Sequence, residues 1–200
     1  MLKDLRSALP PAPEAIVIGG SLGALDALGI LLPRVAARTS AALVVVVHLP
    51  PGRQSLLPGL FGSRLSTPVR EAEDKQPVTG GAIWFAPADY HVSVELDRTF
   101  SLSVEPPVRY SRPSIDVLFE SAAEVYGRRL VAIVLTGAND DGARGARAVR
   151  AAGGFVIVQE PKEAVADHMP LAAIAQAEPQ LVAPLERIAE SLYILTGDAA

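Results

Sequence analysis

Apolar residues in this chain fall into short solid runs, separated by stretches with helical spacing. Ala15-Ile16-Val17-Ile18-Gly19 is the first run, closed by glycine, and predicts a buried strand. Leu22, Leu25, Leu28, Leu31, Leu32 and Val35 follow at intervals that place one apolar face on a helix. Residues 41–47 form a second continuous run rich in valine, as a central parallel strand requires. Strand, helix and strand at this spacing make a right-handed βαβ unit. A further helix, made irregular by Pro58 and Gly59, is expected over residues 55–65.

The middle of the chain changes period. After Gly80-Gly81 and Ala82-Ile83-Trp84-Phe85, Val92, Val94 and Leu96 alternate with Ser93 and Glu95. Asp97-Arg98 then turns into Phe100, Leu102 and Val104, which predicts an antiparallel hairpin added at the edge of the sheet. Helical spacing returns with Ile115, Leu118, Phe119, Ala122 and Tyr126, and Ser114 stands where a cap belongs. Residues 130–135 and 155–159 predict buried strands. Residues 141–152 predict a helix stopped by Gly153-Gly154, and residues 185–195 a final helix. There is no internal repeat and no second linker. The expected architecture is α/β: one doubly wound, mostly parallel sheet with helices on both faces and an antiparallel hairpin addition. The domain is expected over residues 15–200, after a Pro-rich lead-in at residues 1–14 whose piece from Leu9 to Pro13 is expected as a tether or frayed segment outside the core.

Composition narrows the chemistry. With 200 residues the chain can bury a substantial core, and with no cysteine it has no thiol nucleophile, disulfide or Cys-ligated metal. His48, His91 and His168 lie far apart in sequence, so no short His-x-x-x-His spacing exists and no metal or cofactor is expected. A net charge of −4 gives no electrostatic case for nucleic acid. No apolar run approaches the length of a membrane span and no signal-peptide pattern opens the chain, so a cytoplasmic location without membrane insertion is expected.

In a doubly wound sheet, ligands meet the carboxyl ends of the strands. Three polar groups fall there. Ser21 sits in Gly19-Gly20-Ser21-Leu22-Gly23 after the first strand, His48 directly follows the second, and Asp140-Asp141 follow the strand that ends at Leu135. A hydroxyl, an imidazole and a carboxylate at one sheet edge are the inventory of nucleophilic acyl transfer. Flanking glycines permit a sharp turn at Ser21, and the free amides of the following helix start suit an oxyanion. The same serine could be only a helix cap. A dinucleotide cradle fits less well, because the glycine spacing is not Gly-x-Gly-x-x-Gly and the second strand ends in His48 rather than an acid. A single histidine at a strand end is often structural, yet here it precedes the rigid Pro50-Pro51-Gly52 and shares the sheet edge with a serine. Spacing alone does not choose between Asp140 and Asp141, either of which could cap a helix.

The ordered motifs Ile18-Gly19-Gly20-Ser21, Val47-His48-Leu49-Pro50, Ala86-Pro87 with His91, Arg112-Pro113-Ser114-Ile115-Asp116, Leu135-Thr136-Gly137 with Asp141-Gly142-Ala143, and Met169-Pro170 run through nearly the whole chain. In these the sequence resembles the catalytic domain of the chemotaxis protein-glutamate methylesterases. The resemblance implies Ser21 as nucleophile, His48 as general base and Asp141 as the acid that orients it. It also implies oxyanion or substrate contacts from Gly20, Leu22, Gly23, Ala138, Arg112 and Met169. The implied substrates are glutamyl methyl esters on the cytoplasmic helices of chemoreceptors, with receptor glutamines as further substrates for deamidation. A regulatory receiver domain commonly precedes such domains; 14 residues precede the first strand here, so the expectations are a separate receiver domain as partner, regulation by another route, or a chain that is one domain of a longer protein. Leu22 replaces a usual threonine, Ala24 a glycine, Ala138-Asn139 a Met-Gly pair and His168 a glycine. These departures motivate the rival expectation of a domain that binds a partner without turnover. Arg144, Arg147 and Arg150 recur every three residues on one helix, a pattern expected of a solvated face.

Overall fold

The computed structural model of the chain describes residues 2–48 and 56–197. Seven strands, β1 (Ala15–Gly20), β2 (Ala42–Val47), β3 (Val69–Glu71), β4 (Ile83–Phe85), β7 (Leu130–Val134), β8 (Phe155–Gln159) and β9 (Leu181–Ala183), pair in parallel in the order β3-β4-β2-β1-β7-β8-β9. Two more, β5 (His91–Val94) and β6 (Phe100–Ser103), pair antiparallel as a separate small sheet. The hairpin is therefore not an edge addition to the main sheet. Val92 and Val94 are buried against α4 (Ile115–Tyr126) instead, and Phe100 is buried against the Trp84 ring. Ile83–Phe85, read with the hairpin, belongs to the main sheet beside β2.

Side chains of successive strand residues point to opposite faces, which divides the core in two. Val17, Val44, Ala132 and Val156 face α4, α5 (Ala143–Ala151) and α6 (His168–Ala177). Ile16, Ile18, Leu43, Val45, Ile133 and Ile157 face α1 (Leu2–Ala8), α2 (Ala24–Leu31), α3 (Leu57–Gly62) and α7 (Leu185–Thr196). Leu5 and Leu9 are buried in that second layer, so the N-terminal segment contributes to the core, and Leu9 departs from the expectation that residues 9–13 stay outside it. The short β3 and β9 and the helices α1 and α6 carried too little periodicity to stand out in sequence. Pro50-Pro51-Gly52 and the start of the helix expected at residue 55 lie outside the described residues.

From β1 the chain winds one way through β2 to β4; from β7 it winds the other way to β9. The carboxyl ends of β1 and β7 thus form the switch point where a crevice opens. Two helices start beside it, and each is capped by an aspartate from the other's start. Asp141 Oδ1 accepts from the Asp116 amide at 3.0 Å, and its Oδ2 from the Ile115 amide at 2.7 Å. Asp116 Oδ1 in return accepts from the amides of Gly142 at 2.9 Å and Gly145 at 2.7 Å. Helix starts leave such amides without intrahelical partners, so each carboxylate meets donors that burial would otherwise strand.

The two aspartates titrate in opposite directions. Burial pushes the Asp116 carboxyl above the ordinary range, only partly offset by the Gly145 amide, and the nearby Asp141 charge adds to the rise. A carboxyl raised in the fold favours the folded state most when protonated, and that contribution is full below the ordinary carboxylate range and is lost as pH rises from there through the raised value. Asp116→Asn keeps the acceptor without the charge. Its Tm is expected to approach or exceed that of the wild type as pH rises from 4 to 7, whereas Asp116→Ala strands two amides and costs about 2 kcal/mol. Thermal unfolding of both variants across that pH range checks this; an Asn variant as damaged as the Ala variant would contradict it.

Candidate active site

Parallel register places Ser21 beside His48. Gly20 pairs with Val47, and the His48 amide donates to the Gly20 carbonyl at 3.2 Å, so the next residues on the two strands are neighbours. Both line one open cleft of ≈ 490 Å³ with Leu22, Gly23, Leu25, Asp26 and Val47. On the other side of β1, the Ser21 amide donates to the Thr136 carbonyl at 2.9 Å, which ties the serine turn to the end of β7.

His48 Nε2 lies 2.8 Å from Asp141 Oδ2. Asp141 is fully buried and accepts from four donors: His48, Ser114 Oγ at 2.8 Å, and the two amides at the start of α4. Burial pushes its carboxyl up, but the His48 and backbone hydrogen bonds outweigh that and hold it below the ordinary carboxylate range. An ionised carboxylate can only accept, so Nε2 carries the imidazole proton and Nδ1 keeps the lone pair. The basic nitrogen of this histidine is therefore Nδ1. It is approached at 3.2 Å by Ser111 Oγ, a contact across 63 residues of sequence. Ser21 Oγ has no hydrogen-bond partner among the described residues.

Of the two aspartates left open by spacing, Asp141 meets His48, and Asp140 instead pairs with Arg109 at 3.1 Å. Ser114 occupies the expected cap position of α4, but its hydroxyl donates to Asp141 rather than capping the helix. His91 is a structural support: its Nδ1 accepts from the Ser114 amide at 3.1 Å and its Nε2 donates to the Pro106 carbonyl at 3.2 Å.

The turn after Ser21 fits an oxyanion. Gly23 has φ of 83°, and among the described residues the amides of Leu22 and Gly23 donate to no group. Thr136 clamps this turn from below, donating to the Leu22 carbonyl at 2.9 Å and accepting from the Ala166 amide at 2.9 Å. A β-carbon on Gly23 would lie 2.6 Å from the Val165 β-carbon. Gly23→Ala is therefore expected to lower kcat by roughly 100-fold through a displaced oxyanion donor, with a fall in Tm from the positive φ. Steady-state kinetics with thermal unfolding checks this, and unchanged kcat would remove Gly23 from the site.

The remaining expected contacts are distributed differently. Leu22 and Leu25, expected on the buried helix face, are 58% and 39% exposed and stand at the cleft mouth. Gly20 ends β1 beside Ser21. Ala138 is exposed on the loop that leads to Asp141. Met169 is buried beneath that loop, against Gly137, and its amide donates to the Gly137 carbonyl at 2.9 Å. The Arg112 guanidinium donates to the carbonyls of Val104 at 2.7 Å and Glu105 at 3.0 Å, which fastens a loop. His168 is exposed at the start of α6. The arginines of α5 are only partly a solvated face, because Arg144 pairs with Glu120 at 2.6 Å and Arg150 donates to the Ala177 and Glu178 carbonyls. Ser111 and Thr136 were not distinguished in sequence as site residues. No group of three or more histidine, aspartate or glutamate side chains among the described residues is placed to hold a metal ion.

Residues 16–192 match the model of the CheB methylesterase family. A protein of Leptospira interrogans is 40% identical over 177 residues, which is 88% of this chain and 92% of that protein. Protein-glutamate methylesterase/protein-glutamine glutaminase 1 of Rhodospirillum rubrum is 37% identical over 197 residues, covering 96% of this chain and 50% of its own. The chain thus spans about half the length of that relative. The crystal structure of the Thermotoga maritima CheB methylesterase catalytic domain superposes with a TM-score of 0.87 at 32% identity, over 92% of this chain and 98% of that one.

Proposed function

The chain belongs to the CheB methylesterase family, and from that premise we propose that it is a serine hydrolase acting on protein glutamyl methyl esters. The observation that carries this reading is the bond from His48 Nε2 to the buried Asp141, which leaves the lone pair on Nδ1 of a ring that lines the same cleft as Ser21. Nδ1 takes the proton of Ser21 as its oxygen attacks the ester carbonyl. The amides of Leu22 and Gly23 receive the oxyanion. The tetrahedral adduct collapses, and the imidazolium gives its proton to the departing methoxide, which leaves as methanol. Neutral His48 then takes a proton from water, whose oxygen attacks the acyl-serine. Ser21 leaves with the proton returned by His48, and the glutamate carboxylate is freed. A glutamine side chain follows the same course and releases ammonia.

The proposed substrates are the methylated cytoplasmic helices of chemoreceptors, and a receiver domain is the proposed regulator. A cytoplasmic location belongs to this reading; among the described residues no helix is long and apolar enough to cross a membrane. The four departures from the family pattern leave Ser21, His48 and Asp141 in place, which favours turnover over partner binding alone. Methanol release from a methylated receptor fragment tests the proposal. Release proportional to enzyme is expected; none, with and without a phosphorylated receiver domain, would favour the binding-only reading.

A further inference from the structure

The basic nitrogen of His48 has one side-chain partner among the described residues, and it is not the nucleophile. Ser111 Oγ lies 3.2 Å from Nδ1. Asp141 occupies Nε2, so the two ring nitrogens are gripped from opposite sides. Ser111 is itself fixed. Its amide donates to the Val108 carbonyl at 2.9 Å, and the Val108 amide donates back to the Ser111 carbonyl at 3.1 Å, closing a tight turn. Arg109 in that turn pairs with Asp140, the residue before Asp141. Arg112, on the other side of Ser111, is fastened to the carbonyls of Val104 and Glu105. The segment that carries the orienting carboxylate therefore also anchors the turn that carries Ser111.

We propose that Ser111 is a positioning residue for the base, its hydroxyl holding Nδ1 while Asp141 holds Nε2, so that the imidazole plane stays fixed throughout turnover. This rests on the hydrolase reading above. A hydroxyl suits the task because it rotates between donor and acceptor. With neutral His48 at rest it donates to the Nδ1 lone pair, and it turns this hydrogen away when the Ser21 hydroxyl takes that lone pair. Once Nδ1 has taken the proton of Ser21, the same oxygen accepts from the imidazolium, and hydrogen bonds to ions are the stronger kind. The ring then keeps its orientation while the proton waits for the leaving group. With the carboxylate alone the ring is held at Cβ and at Nε2, and can still rock about the line between them.

The test compares Ser111→Ala and Ser111→Thr with the wild type in methanol release, and records nitrogen-15 spectra of the His48 ring in the intact chain. In Ser111→Ala, kcat is expected to fall about ten-fold with KM changed less than about two-fold, because the lost bond is strongest to the charged ring. Ser111→Thr restores most of the rate, and equal Tm values exclude a folding defect. In the spectra, the Nδ1 resonance of Ser111→Ala moves toward that of a lone pair without a donor, and Nε2 stays protonated. A Ser111→Ala variant as fast as or faster than wild type overturns the proposal, and so does a Thr variant as slow as the Ala variant. An unchanged Nδ1 resonance overturns it too. Should the wild type release no methanol, the hydrolase reading fails separately, and the spectra still decide whether Ser111 holds the ring.

Discussion

Ser21→Ala is expected to reduce methanol release by about 10⁴- to 10⁶-fold, with little change in Tm. In the proposed mechanism this hydroxyl forms the bond to the acyl group, and Ser21 is the one serine that lines the cleft with His48 among the described residues. On the same proposal its loss leaves His48 and Asp141 with no nucleophile to activate, so the expected effect is far larger than that of one weakened contact. Stability is spared because Ser21 Oγ makes no hydrogen bond among the described residues, so no partner is stranded. Single-turnover kinetics on a methylated substrate, with unfolding measured in parallel, gives both numbers. A variant retaining a tenth of the wild-type rate would remove Ser21 from its assigned role and direct attention to Ser111.

Asp141→Asn is expected to damage both activity and stability. An amide offers one acceptor oxygen where the carboxylate meets four donors at its two oxygens. If the amide NH₂ faces His48, it donates to Nε2, so the ring proton moves to Nδ1. Nδ1, the proposed base nitrogen, then cannot accept, and kcat falls by about 10⁴-fold, as expected when an orienting acid selects the wrong tautomer. The same NH₂ opposes the Ile115 amide at the start of α4, and stability falls by about 3 kcal/mol. The pH dependence has a defined sign. Asp141 is held below the ordinary carboxylate range, so its contribution is present above that range and is lost as pH falls through its lowered value. The stability gap between wild type and Asp141→Asn should therefore narrow on acidification. Tm measured from pH 7 downward checks this, and a constant gap would contradict it.

The contrast between the two capping aspartates explains why position, rather than residue type, sets their roles. Both are buried and both bind amides at a helix start. Only Asp141 also faces an imidazole, and that extra donor turns the balance from a raised carboxyl to a lowered one. In sequence the Asp140-Asp141 pair was ambiguous, because a carboxylate after a strand can cap, pair or orient. Folding sends Asp140 outward to Arg109 and Asp141 inward to His48.

The sequence by itself determined the α/β class, the central strands and the edge of the sheet where the chemistry lies. Solid apolar runs of five to seven residues can only be buried strands in such an alternation, and side chains that follow a strand end are delivered to its carboxyl edge. Ser21 and His48 could be picked out there because they follow β1 and β2, whose register the apolar pattern fixes, whereas only the family resemblance distinguishes Asp141 from Asp140. Tertiary structure alone decided the rest. The core role of Leu5 and Leu9, the separate β5–β6 sheet and the exposure of Leu22 and Leu25 depend on how layers meet. So do the inward turn of Asp141 and the approach of Ser111 to Nδ1, which join segments far apart in the chain. No local period encodes such contacts; they exist only because packing closes two helix starts and one tight turn around the end of β2.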